Sequence, residues 1–186
     1  LGDISQLTSG TGLAFLPAPT GVKLRISAQG SNRILVQKIV DDVEFKIRVK
    51  AETHIYSVGD EALEEVVSKL LTDNNLTIAV AESCTGGLIA DRITNVSGSS
   101  KYFDRGVVTY SNKSKVELLN VPEDVISSFG AVSKETAEAM AEGVRISSKT
   151  NIGLSTTGIA GPTGGTEEKP VGLVWIGYSD DKKTIA

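Results

Sequence analysis

The stretch Val22-Lys23-Leu24-Arg25-Ile26-Ser27 alternates apolar and polar side chains with a period of two, as a half-buried strand does, and Gly30 closes it. From Ser31 the period lengthens. Leu35, Ile39, Val43 and Ile47 recur every four residues with Asp41, Asp42 and Glu44 between them, which predicts an amphipathic helix of about four turns. Thr53 to Ser57 reads as a second short strand. Residues 1–21 set Gly, Ser, Thr and the Pro17-Ala18-Pro19 triplet around Leu13-Ala14-Phe15-Leu16, and read as a connecting arm with one apolar anchor. Strand, helix and strand in about 40 residues make a small α+β unit that has to lean on a neighbour.

Gly59-Asp60 marks a boundary, so the expected domains are 1–58 and 59–186. Asp60 is a candidate N-cap for a helix whose face is Leu63, Val66, Val67, Leu70 and Leu71. Leu76 to Ala81 is a β-rich run that ends in Glu82-Ser83-Cys84-Thr85-Gly86-Gly87, after which Leu88, Ile89, Ile93 and Val96 resume helical spacing. Then come a strand over Phe103–Tyr110, a helix over Ser111–Leu119, and a short helix over Pro122–Phe129 with Pro in its first turn. A longer helix, capped by Ser133, runs to about Ser148 over Ala137, Met140, Ala141 and Val144. Asn151–Thr157 is a strand, Gly158–Lys169 a glycine-rich loop, and Val171–Tyr178 a strand apolar on both faces, as central strands are. This alternation predicts an α/β fold, a three-layer α/β/α domain with a mixed sheet. Thr184-Ile185-Ala186 begins a strand, so a further strand and helix are expected in the intact protein.

Composition narrows the function. The chain has 186 residues, 40% apolar and 23% charged, with 5% aromatics and no apolar run near the ~18 residues of a membrane span. Mean hydropathy is +0.00. No signal-peptide pattern opens the chain, so no membrane association is expected and the expected location is cytoplasmic. One cysteine, Cys84, excludes an intrachain disulfide and Cys-rich metal or iron–sulfur sites, and no residue cluster has metal-ligand spacing. One histidine, His54, leaves a hydrolase to find its base elsewhere. Net charge is −4, divided as +2 over residues 1–58 (seven basic, five acidic) and −6 over 59–186 (twelve basic, eighteen acidic). Neither part carries the basic excess of a nucleic-acid binder.

Three segments could carry chemistry. In Glu82-Ser83-Cys84-Thr85-Gly86-Gly87, a strand turns into a helix beside free backbone N–H groups, with three hydroxyl or thiol candidates in a row. The ordinary alternative is an N-cap turn. In Thr109-Tyr110-Ser111-Asn112-Lys113-Ser114-Lys115 a strand end meets a helix start, where Lys113 or Lys115 serves as a base only if its usual pKa of about 10.4 is depressed. Otherwise both are surface charges, and Tyr110 is packing. The segment from Thr156 to Pro170 has neither a Walker nor a Rossmann pattern. Its glycines form either an anion-binding nest with Lys169 as a point charge, or a plain crossover loop.

These blocks, AESCTGG at 81–87, FDRGVVTYSNKSK at 103–115, GAVS at 130–133 and TGIAGPTGGTEEKPVG at 157–172, resemble the C-terminal domain of the CinA (competence/damage-inducible) family, the nicotinamide-nucleotide amidase or PncC-like group. The preceding residues resemble the KH-like middle segment of full-length CinA, without its G-x-x-G loop, so RNA binding is not carried over. The resemblance implies hydrolysis of the carboxamide of nicotinamide mononucleotide to nicotinate mononucleotide and ammonia, without cofactor or metal. It implies Ser83 as nucleophile, Lys115 as base and Tyr110 as an assisting hydroxyl. It puts Thr157 and Gly158 at the reacting group, the amides of Thr85, Gly86 and Gly87 at an oxyanion, and Gly161, Gly164, Gly165 and Lys169 at the substrate phosphate. Glu82 is left to hold Lys115 or a backbone amide. Cys84 is the rival nucleophile. A homodimer is the expected assembly, and a non-catalytic nucleotide-binding or regulatory module is the alternative function.

Overall fold

The computed structural model describes residues 11–18 and 20–186; the start of the expected arm, residues 1–10, lies outside them. The chain divides into two compact units, one ending at Asp60 and the other running from Glu61 to Ala186.

In the first unit the arm is not an arm. Gly12–Ala18 (β1) pairs antiparallel with Gly21–Ser27 (β2), setting Leu13 opposite Ile26 and Phe15 opposite Leu24. Pro17 signals a break, yet a two-stranded ribbon has only edge strands, and an edge tolerates Pro where the N–H would face outward. Arg33–Ala51 (α1) is longer than the period suggested, at 19 residues, and Asn32 caps it by accepting from the N–H groups of Ile34 and Leu35. Val43 and Ile47 are its buried residues. The strand expected over Thr53–Ser57 is absent. The helix runs on into a 3₁₀ turn over Glu52–His54, where the His54 Nδ1–H donates to the Ala51 carbonyl at 3.0 Å. This unit is therefore a hairpin followed by a helix.

The second unit opens with Leu63–Asp73 (α2). Its cap is Ala62, whose N–H donates to the Glu65 carboxylate at 2.7 Å, and not Asp60, which pairs with Lys23. The remaining elements are Ile78–Glu82 (β3), Leu88–Thr94 (α3), Phe103–Val108 (β4), Asn112–Leu119 (α4), Glu123–Phe129 (α5), Lys134–Ser148 (α6), Ile152–Gly158 (β5), Val174–Ser179 (β6) and Thr184–Ile185 (β7). The sheet order is β4-β3-β5-β6-β7, with β4, β3 and β5 parallel and β6 and β7 antiparallel.

Two apolar clusters make three layers. Ala79 and Ala81 of β3 pack with Leu119, Val121, Met140 and Val144 on one face of the sheet. Ile78 and Val80 pack with Leu71, Ile93 and Tyr102 on the other, as the two-residue alternation of a strand requires. Full burial of each Val, Leu or Met contributes about 1.5–3 kcal/mol. The long helix α6 lies very close to the sheet. A Cβ on Gly177 would sit 2.3 Å from the Ala137 carbonyl, and the Ser155 hydroxyl donates to that same oxygen at 2.6 Å. Strand β6 begins three residues later than the sequence suggested and is not covered on both faces: Val174 and Ile176 are exposed.

The parallel strands β3, β4 and β5 end on one edge of the sheet. Because β3 lies between β4 and β5, the chain leaves it toward one side and returns to the other, and the carboxyl ends of the strands at such a reversal form a crevice. Among the described residues, no helix is long and apolar enough to cross a membrane.

Candidate active site

A pocket of about 380 Å³ occupies that crevice, lined by Ser83, Cys84, Tyr110 and Lys115, by Ala131, and by residues 158–161, 163 and 164 of the glycine loop. Ser83 follows the last residue of β3, and its N–H donates to the Thr156 carbonyl at 3.0 Å, which extends the pairing with β5 by one residue. The chain then turns. Gly86 (φ 62°) and Gly87 (φ 106°) adopt backbone conformations that L side chains rarely take, and the Gly86 N–H closes the turn on the Ser83 carbonyl at 3.2 Å.

Lys115 enters from α4, whose start is fixed by the Ser111 hydroxyl accepting the Ser114 N–H. The residue is 1% exposed, an unusual position for a lysine. Its Nζ lies 2.9 Å from the Thr109 carbonyl oxygen, 3.2 Å from that of Tyr110, and 3.2 Å from Ser83 Oγ. No carboxylate among the described residues forms an ion pair with it. Burial pushes the amine below its usual value, opposed by the charge of a Cys84 thiolate. A neutral amine has two N–H donors and one lone pair. With two carbonyls taking those donors, a deprotonated Lys115 would have its lone pair left for the Ser83 O–H, whereas the ammonium donates to Ser83 Oγ. Lys113 instead faces solvent and pairs with Glu117 at 3.6 Å.

Tyr110 lines the pocket, but it is its carbonyl that touches Lys115; the side chain is exposed and its hydroxyl makes no hydrogen bond among the described residues. Cys84 is half-buried, and burial raises its thiol pKa, against the opposing influence of the Cys84 and Thr85 N–H groups and of Lys115. Those two N–H groups have no oxygen acceptor among the described residues.

Several expected roles need correction. The Gly87 N–H is not free for an oxyanion, because the Glu82 carboxylate accepts it at 3.0 Å together with the N–H groups of Ile89 and Ala90. The Gly86 N–H is spent on the turn. Glu82 therefore holds backbone amides and not Lys115. Thr157 turns its hydroxyl onto the Ala131 carbonyl at 2.7 Å and does not line the pocket. Lys169 donates to the Phe129 carbonyl at 2.8 Å, at the C-terminus of α5, and neither it nor Gly165 lines the pocket. The Thr85 hydroxyl lies 2.7 Å from that of Thr156, while the Thr85 N–H, the group expected at an oxyanion, keeps no oxygen acceptor among the described residues. Gly158, Gly161 and Gly164 are in the lining.

Sequence reasoning missed Ala131, the buried Thr156 and the carbonyls that hold Lys115. Neighbouring threonines on a strand face opposite sides, so that alternation was the available signal for separating Thr156 from Thr157. Among the described residues, no three or more His, Cys, Asp and Glu side chains are grouped to hold a metal ion.

Comparison with known proteins places the chain. A family model described as the CinA C-terminal domain matches residues 60–186. A CinA-like protein of Kosmotoga olearia is 53% identical over 163 residues, covering 88% of this chain and 40% of that one. Another from Syntrophus aciditrophicus is 47% identical over 185 residues, covering 100% of this chain and 44% of its own length. The chain thus spans less than half the length of these relatives. Among solved structures, a competence/damage-inducible protein of Agrobacterium tumefaciens superposes with a TM-score of 0.63 at 43% identity, over 69% of this chain and 81% of that one. A CinA-superfamily protein of Escherichia coli gives 0.65 at 27% identity, over 72% and 81%. With a matching family model over residues 60–186 and relatives about half identical across the chain, the chain belongs to the CinA family, and residues 60–186 match its C-terminal domain.

Proposed function

We propose that this chain is an amidase that hydrolyses the carboxamide of nicotinamide mononucleotide to nicotinate mononucleotide and ammonia. The observation that carries the reading is the buried Lys115 amine, 3.2 Å from Ser83 Oγ, held by two carbonyls and with no carboxylate ion pair among the described residues. In this reading the Lys115 lone pair takes the Ser83 proton as Oγ attacks the carboxamide carbon. The tetrahedral oxyanion is met by the N–H groups of Cys84 and Thr85. The Lys115 ammonium, held by the Thr109 and Tyr110 carbonyls, passes its proton to the departing nitrogen, which leaves as ammonia. Water then attacks the Ser83 ester with Lys115 again as base, giving the carboxylate and restoring the serine.

The glycine loop supports a phosphate-bearing substrate. Ala160, Gly161 and Gly164 line the pocket with backbone and no large side chain, which leaves room for the ribose phosphate against loop amides. The reading is tested by comparing ammonia release from nicotinamide mononucleotide and from nicotinamide riboside. Release from the nucleotide, with the phosphate-free riboside at least tenfold slower, supports it. Equal rates on both remove the phosphate subsite.

A further inference from the structure

We propose that Glu82 is a positioning residue whose carboxylate, by gripping the first turn of α3, fixes the turn after Ser83 so that the Cys84 and Thr85 N–H groups face the reacting centre. The inference rests on the serine–lysine reading above.

Glu82 is 1% exposed, and no cation among the described residues pairs with it. A buried carboxylate is costly unless its oxygens are satisfied. Here Oε2 accepts from Gly87 at 3.0 Å and Ile89 at 3.1 Å, and Oε1 from Ala90 at 2.8 Å. These are the donors at the positive end of α3. Residues 83–86 are consequently a short loop pinned at one end by β3 and at the other by the side chain of the residue just before it. Within that loop the Gly86 N–H closes the turn and the Ser83 N–H pairs with Thr156, so Cys84 and Thr85 alone keep their donors. Both N–H groups act to lower the Cys84 thiol pKa against burial, and Cys84 lines the pocket.

The same residue reaches the other half of the centre through its backbone. The Glu82 carbonyl accepts the Thr109 N–H at 2.8 Å, and the Thr109 carbonyl accepts from Lys115 Nζ at 2.9 Å. Its side chain, however, points to the face of the sheet opposite Ser83, because successive residues of a strand alternate. Glu82 thus sets geometry without sharing a hydrogen bond with Lys115.

The test is Glu82→Gln. Its amide keeps one acceptor and sets an NH₂ against donors. Three quantities are compared with the unsubstituted chain: the circular-dichroism melting curve, kcat and KM for ammonia release across pH, and the rate at which a fluorophosphonate labels Ser83. In the labelling step the Ser83 oxygen–phosphorus bond forms, fluoride leaves and Lys115 takes the proton. We expect kcat and labelling rate to fall together by about 30- to 100-fold, as for a misaimed oxyanion donor. KM should stay within about threefold, and the acid limb of the pH profile should not move. A folded Glu82→Gln chain that labels as fast as the unsubstituted one overturns the inference, and so does a displaced acid limb, which puts Glu82's effect on Lys115. If the unsubstituted chain labels but releases no ammonia, and Glu82→Gln slows the labelling, the positioning role stands and only the amide substrate falls. If Ser83 takes no label at all, there is no activated serine to position and the inference falls. Should Glu82→Gln not fold, Glu82→Asp, which withdraws the carboxylate by one methylene, is judged by the same results.

Discussion

The hydroxyl of Thr156 lies 2.7 Å from that of Thr85, across the gap between β5 and the turn that follows β3. With the Thr156 carbonyl on the Ser83 N–H, this strand end grips the nucleophile's turn at two points. Thr156→Val keeps the shape but leaves the Thr85 hydroxyl without its partner. We expect a loss of about 1–3 kcal/mol in urea unfolding and a fall in kcat with little change in KM. Unchanged stability would show that the hydroxyl pair carries no load.

Lys115 is a buried amine whose charge state the fold alters. Burial lowers its pKa in the folded chain, while the unfolded value is the ordinary ~10.4. Between those two values the unfolded state binds a proton that the folded state does not, so stability rises with pH through that window, and the cost of charging a buried amine is felt below it. Lys115→Met removes this component. The measurement is urea-unfolding free energy from pH 6 to 10 for both chains; parallel curves contradict a depressed amine. Activity should likewise rise with pH through the lowered value, with the Cys84 thiol, whose pKa burial raises, beside it in the pocket lining. Lys115→Arg, which cannot deprotonate, should have no measurable turnover.

Gly177 marks how closely α6 lies on β6. An alanine there would place its Cβ 2.3 Å from the Ala137 carbonyl and 2.4 Å from Ser155 Oγ. Gly177→Ala should destabilise the domain by about 1–3 kcal/mol, the range for overpacking, seen as a lower melting temperature. A chain melting at the original temperature would mean that the helix yields freely.

Lys169 separates two readings of the glycine loop. Its ammonium sits on the Phe129 carbonyl at the end of α5, outside the pocket lining. Lys169→Met should therefore leave KM for the nucleotide within about threefold and lower stability by less than ~1 kcal/mol. A KM rise of tenfold or more would assign the phosphate to this lysine.

The order of elements in the second unit was legible because its strands are short apolar runs between helix signals: Ser133 caps α6 as its hydroxyl suggested, and α4 starts within one residue of the expected Ser111. The first unit was not. Pro17 disguised β1, since edge pairing is a tertiary fact, and the apolar residues after α1 favoured a strand that finds no partner. At the site, Ser83 and Lys115 could be named from their motifs, but the chain of hydrogen bonds that aims them could not. The direction of Thr157, the occupation of the Gly87 amide by Glu82 and the docking of Lys169 depend on strand parity and loop closure across 26, 5 and 40 residues of sequence. Composition carries no trace of such pairings.

The most direct measurement is ammonia release from nicotinamide mononucleotide by the unsubstituted chain, Ser83→Ala and Cys84→Ala side by side. We expect Ser83→Ala to abolish release and Cys84→Ala to retain most of it. Loss in Cys84→Ala with retention in Ser83→Ala would contradict Ser83 as the nucleophile, and binding of the nucleotide by the unsubstituted chain without any ammonia would contradict the amidase reading.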